Sequence, residues 1–145
     1  MTVISSDQLR DVLIASGIPA ERINIVDRTY CLPSRNYMDQ LGQRFFDQVW
    51  GTRLIYKPEA FDCDDFSLLC AALARLDHGA TTQDETAFAV GFVFIATSQI
   101  MHAVVAAVHN DSGTLRLELY EPQPDNNLCL RKFSQPVGLY FFAYF

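Results

Sequence analysis

The sequence predicts an α+β fold, with N-terminal helices packed on one face of a C-terminal antiparallel sheet. Three observations carry this. Apolar residues recur at helical spacing as far as Leu76; from Ala87 onward the runs become β-type; and the polar or Gly/Pro breaks between those runs are short, as consecutive antiparallel strands allow. The 145 residues, half of them hydrophobic, suit one domain over residues 1–145 with a sizeable core.

The elements follow in order. Ser5 or Ser6 caps a first helix, DQLRDVLIAS, whose Leu9, Val12 and Leu13 share a face before Gly17 ends it. After an irregular stretch containing RINIV, Pro33 and Ser34 introduce a second helix. In it Tyr37, Met38, Leu41, Phe45 and Val49 follow three-and-four spacing, with Gly42 a weak point. GTRLIYKPEAF then offers a short β-type run, LIY, and a proline that cannot continue a sheet ladder. Asp62 caps a third helix from about Cys63 to Leu76, burying Phe66, Leu69, Cys70 and Leu73, and the His78-Gly79 pair ends it. Five β runs follow: AFAVGFVFIAT, MHAVVAAVH, TLRLELY, LCLRKF and VGLYFFAYF.

A formal charge of −6 argues against nucleic acid or an anionic membrane surface, either of which needs clustered Lys and Arg. The N-terminus reads as folded protein rather than an export signal. The longest apolar runs are about half of the roughly 20 residues that a membrane helix requires. Cys31, Cys63, Cys70 and Cys129 include no CxxC pair, so reduced thiols in a cytoplasm are expected, with neither metal nor cofactor.

The chemistry concentrates in two places. In FDCDDF, residues 61–66, Cys63 falls in the first turn of the third helix among Asp62, Asp64 and Asp65. In MHAVVAAVHNDSGTLRLELYEPQ the NDSG stretch is a hairpin turn. If the loop is symmetric about Asp111 and Ser112, Val104, Ala106 and Val108 share an apolar face with Leu115, Leu117 and Leu119. His109, Arg116, Glu118 and Tyr120 take the other face. His102 then opposes Glu121 at the far end of the apolar face, with Cβ atoms roughly 5 Å apart. A three-residue bulged loop would instead aim Tyr120 or Pro122 at His102. An imidazole beside a carboxylate is an oriented base, and Cys63, on a helix expected to pack on the same face, supplies a thiol. Cys63, His102 and Glu121 are therefore the candidate catalytic residues. Gln48, Trp50 and Tyr56 are candidates near an oxyanion, and Gln123 for substrate contact.

Asp62, Cys63, Asp65 and Phe66 at a helix start, His102-Ala103 on a strand and Glu121 at the end of the next one resemble the transglutaminase-like and papain-like cysteine peptidase superfamily. Small bacterial and phage proteins with a DCDDF, HA and EPQ pattern are similar too. The resemblance covers about residues 55–125. It implies a helix packed on an antiparallel sheet and a thiol hydrolase or acyltransferase acting on an amide or acyl bond of a protein or peptide-like substrate. In that chemistry Cys63 is nucleophile, His102 general base and Glu121 orienting acid, with a covalent thioester between the half-reactions. Family members often have Asp in the third place.

Three readings compete. The DxD in FDCDDF is preceded by KPEA rather than the strand that leads into a phosphatase magnesium motif, and it lacks the spaced ligands and glycine of an EF-hand loop. A catalytically inactive relative of the same fold, used to bind protein or ligand, is the remaining alternative. The aromatic C-terminal run Tyr140, Phe141, Phe142, Tyr144 and Phe145 then offers a surface for a partner or for self-association.

Overall fold

A computed structural model describes residues 2–53, 55–58, 62–125 and 128–145. The chain begins with β1 (Val3–Ser5), which runs directly into α1 (Ser6–Ala15). Ser5 and Gln8 close the helix start reciprocally: Gln8 N donates to Ser5 Oγ at 3.2 Å and Ser5 N to Gln8 Oε1 at 2.9 Å. β2 (Ile23–Asn24) and β3 (Thr29–Cys31) occupy the stretch expected to be irregular. α2 (Arg35–Gly51) starts where Tyr37 N donates to Ser34 Oγ at 3.0 Å, and buries Met38, Leu41, Phe45 and Val49. Ile55 and Tyr56 of the LIY run lie outside any strand, and Leu54 lies outside the described residues.

α3 (Cys63–Thr81) runs one turn beyond the expected end. His78 is the reason: its ring stacks on Phe88, with centroids 4.6 Å apart, and its Nε2 lies 3.0 Å from the Thr86 carbonyl oxygen, so the turn containing Gly79 is held by tertiary contacts. Then come β4 (Ala87–Phe88), β5 (Val90–Ala96), β6 (Met101–Asp111), β7 (Thr114–Glu121), β8 (Arg131–Lys132) and β9 (Leu139–Tyr144).

The strands form two sheets, in the orders β1-β3-β4 and β2-β9-β5-β6-β7-β8, with β3–β4 and β2–β9 parallel and every other pair antiparallel. This corrects the expected fold class in two respects. The sheet is not purely antiparallel, because two-residue strands at 23–24 and 87–88 join an edge in parallel. Nor do the helices share one face. Leu9 and Leu13 of α1 pack with Val93, Val104, Ala106 and Val108, whereas Phe45 of α2 and Phe66, Cys70 and Ala74 of α3 pack with Val90, Val105, Ala107 and Tyr120. The physical cause lies in β6, where Ala103 to Val108 are all fully buried: with Ala and Val at both parities, either face accepts a layer. At Gly91 the backbone of β5 meets β9 so closely that a Cβ would lie 1.9 Å from the Tyr144 carbonyl oxygen.

The β6–β7 hairpin turns on two residues, Ser112 and Gly113, with φ of 51° and 93° between paired Asp111 and Thr114. Gly113 N donates to Asn110 Oδ1 at 2.7 Å. Two successive positive φ values are the signature of the tight hairpin turn that matches strand twist. The centre is thus one residue later than expected, and the pairing shifts by two. Residues keep their faces under such a shift, but His102 loses its place opposite Glu121, since the ladder ends at Val105 and Tyr120.

Candidate functional site

The N-terminus of α3 places Cys63. Asp62 N donates to Asp65 Oδ2 at 3.2 Å, which uses one of the acids to hold the helix start. A hydrogen bond with Asp62, together with burial, keeps the Asp64 carboxyl above the usual carboxylate range. Ser67 Oγ donates to the Cys63 carbonyl at 2.8 Å. Cys63 is half-buried, while Cys31, Cys70 and Cys129 are buried.

His102 reaches the same point from the start of β6, where β5 still pairs with it but β7 no longer does. The imidazole is 9% exposed, and its Nε2 donates to Glu121 Oε2 at 2.5 Å. Although not directly opposed, the two meet along the diagonal that a two-residue shift creates. Cys63 is the other hydrogen-bonding neighbour of this imidazole. With Nε2 committed to Glu121, Nδ1 is the nitrogen left for the thiol. Burial works against charge on His102, yet the hydrogen bonds with Cys63 and Glu121 outweigh it, and the pKa is pushed up to about 9. The ring of Phe133 covers one side at 6.0 Å. The structure therefore brings Cys63, His102 and Glu121 together, as an imidazole protonated at neutral pH between a thiol and a carboxylate.

Glu121 also faces outward. Its Oε1 accepts from Gln123 N at 3.0 Å, which fixes the start of the 123–125 segment. That segment walls a cleft of about 710 Å³ whose opposite side is the end of α2. Trp50 stands 73% exposed, its ring stacked on Phe46 at 6.0 Å, with Tyr56 53% exposed nearby and Arg53, Gln123 and Asp125 supplying polar groups. Phe66, one turn beyond Cys63, lies on the cleft floor. Of the other residues expected at the site, Trp50, Tyr56 and Gln123 line this cleft, whereas Gln48 points to solvent from α2 and does not.

Phe46 and Phe66 were not among the expected site residues, and the spacing of Phe46 to Trp50, one helical turn, was the signal available for the first. His109 is a second omission. Expected on a polar face, it is 2% exposed, between the Pro33 carbonyl and the Tyr120 hydroxyl. As for metal, ligand atoms of Asp62, Cys63 and Asp64 lie within 4.8 Å of one another, the one such trio among the described residues. No helix among the described residues is long and apolar enough to cross a membrane.

The fold and site define a two-sheet, mostly antiparallel protein flanked by helices, with a thiol–imidazole–carboxylate cluster beside an aromatic cleft. No protein-family model and no curated protein sequence matches the chain. Solved structures do share its fold. One is the "PSL1a-E64 complex", with a TM-score of 0.72 and 17% identity over 99% of this chain and 51% of that one. Another is Polyporus squamosus lectin bound to the human-type influenza-binding epitope Neu5Aca2-6Galb1-4GlcNAc, with a TM-score of 0.68 and 16% identity over 99% and 49%. The chain spans about half the length of each, and at such identity the likeness is one of fold.

This overturns the peptidase-superfamily assignment. It rested on short motifs between about residues 55 and 125, whereas the whole-chain likeness is to a lectin chain. The thiol hydrolase or acyltransferase reading, with its papain-like and transglutaminase-like fold, was inferred through that assignment and is corrected with it. A cysteine at a helix start, a strand histidine and a nearby acid are local features that different architectures satisfy.

Proposed function

We propose that this chain is a ligand-binding module that takes a neutral saccharide in the cleft between the end of α2 and the 123–125 segment. The single observation that carries this reading is Trp50, 73% exposed and held flat against Phe46 above a concave surface. A large aromatic left in water forgoes its burial energy, about 2 kcal/mol or more, which favours a partner that covers it. A pyranose offers an apolar C–H face for such a ring and equatorial hydroxyls for Arg53, Gln123 and Asp125 at the rim. The formal charge of −6 disfavours polyanionic ligands. The fold shared with a lectin that was solved with a bound glycan agrees with a saccharide ligand, although that glycan carries the carboxylate of its Neu5Ac unit. Glu121 has a positioning role here, because its hydrogen bond to Gln123 N holds one wall of the cleft.

Trp50 is the sole tryptophan of the chain, so its emission reports on the cleft directly. Titration with a panel of neutral oligosaccharides is expected to give a saturable change for at least one member. Calorimetry with that sugar should then show affinity about tenfold weaker in Tyr56→Ala, roughly 1.4 kcal/mol, and lost in Trp50→Ala. Unchanged Trp50 emission across the panel, or equal affinity in Trp50→Ala and the parent protein, overturns the reading.

A further inference from the structure

A second cluster of titratable groups lies beside the start of α2, on the same face of the sheet as the cleft but away from it. His109 of β6 is 2% exposed, and its Nδ1 lies 2.9 Å from the Pro33 carbonyl oxygen. A carbonyl only accepts, so Nδ1 carries a proton. Nε2 lies 2.8 Å from the Tyr120 hydroxyl oxygen, and the same hydroxyl lies 2.9 Å from Glu118 Oε2. Glu118 is held ionised: burial opposes its charge, but hydrogen bonds from Arg35, Tyr120 and Lys132 prevail and bring its pKa down to about 2. Arg35 Nη2 and Lys132 Nζ donate to Glu118 Oε1 at 2.7 and 3.1 Å. A carboxylate in that position only accepts.

Tyr120 therefore has two acceptors at hydrogen-bond distance and one hydrogen to give. While His109 is neutral, one of the two contacts lacks a proton. One added proton resolves this without moving any heavy atom. On Nε2 it donates to the Tyr120 oxygen, and the Tyr120 hydrogen stays with Glu118. We propose that His109, Tyr120 and Glu118 form a buried proton-uptake site, in which protonation of His109 Nε2 supplies the missing hydrogen and completes a hydrogen-bond chain from the imidazole through the Tyr120 hydroxyl to the Glu118 carboxylate.

The surroundings set the balance. Burial pushes His109 below its ordinary value, against the Pro33 carbonyl and Glu118, which pull it up. Arg35 also lowers it and Asp111 raises it, and those two residues are themselves paired. Arg116 lies directly opposite His109 on β7, Lys132 of β8 sits on Glu118, and Asp39 of α2 acts on Tyr120. At neutral pH the imidazole is uncharged, with its proton on Nδ1, while the Tyr120 hydrogen goes to Glu118 and Nε2 faces the Tyr120 oxygen with no hydrogen between them. Uptake takes place on acidification, and the proton comes from solvent.

Imidazole 15N shifts of the intact protein, followed against pH, test this. The expected result is the Nδ1–H tautomer near neutrality, then protonation of both nitrogens at a midpoint below the ordinary imidazole value while the β6 and β7 amide shifts stay in place. Tyr120→Phe should lower that midpoint by about one pH unit, a tenfold loss of proton affinity, because the charged form loses its route to Glu118. Glu118→Gln should lower it as well and decides the matter should the phenylalanine variant not fold. The Nε2–H tautomer at neutrality, an unshifted midpoint in the folded variants, or a His109 that stays neutral until the protein unfolds overturns the proposal.

Discussion

Replacing Glu121 by glutamine keeps the shape of the side chain and removes its charge, and the effect should be a change in how stability depends on pH. His102 titrates at about 9 in the folded protein. An unfolded chain returns it to about 6.5, and the gap corresponds to roughly 3 kcal/mol were the pair sealed from water. Glu121 is 17% exposed, so screening reduces this to about 2 kcal/mol. Cys63 supplies part of the pull, leaving about 1 kcal/mol to the charge of Glu121. The sign follows from the raised value. The folded state holds the proton more tightly, so the contribution is complete below about pH 6.5 and disappears as pH rises through about 9. Urea unfolding at pH 6 and pH 10 isolates it by difference, since tyrosine, lysine and the other thiols titrate alike in both proteins. The parent protein should lose about 1 kcal/mol more than Glu121→Gln over this interval. Equal losses would refute the reasoning, as would a His102 midpoint below 7 in the parent protein.

Two further outcomes follow. Gly91→Ala should cost at least about 3 kcal/mol, because its Cβ would sit 1.9 Å from the Tyr144 carbonyl and only separation of β5 from β9 relieves the clash; a loss below 1 kcal/mol in urea denaturation would contradict the close approach. Iodoacetamide applied to the native protein at neutral pH should label Cys63 first, since the other three thiols are buried and burial pushes Cys129 up to about 11. Equal labelling of all four cysteines by mass spectrometry would refute this.

The three helices were legible because their signals are local. Ser5, Ser34 and Asp62 stand where caps belong, and the apolar spacing of Met38, Leu41, Phe45 and Val49 is that of a helix face. The apolar face of the β6–β7 hairpin was legible too, and it survived a misplaced turn centre because a shift of two residues leaves side-chain parity intact. What the sequence hid was tertiary. Strands of two residues, such as β2, β4 and β8, have no period of their own and exist through their partners. The second helix-bearing face was concealed by the runs of Ala and Val in β6, which read equally as one buried face or two. At the site, the meeting of His102 with Glu121 was anticipated through the wrong pairing and arises instead along a diagonal. His109 looked solvated because its neighbours Arg116 and Glu118 are charged, although a loop carbonyl and a tyrosine enclose it.

One strand carries both imidazoles. His102 and His109 lie seven residues apart on β6, about 23 Å along the chain, and the odd spacing sends them to opposite faces. Their environments pull in contrary directions, up toward 9 for the first and below the ordinary value for the second. Acid therefore adds charge only at the Asp111 end of the strand, and alkali removes it only at the Met101 end. A single β-strand thus registers departures from neutrality at two separate addresses, each with its own set of neighbours to rearrange.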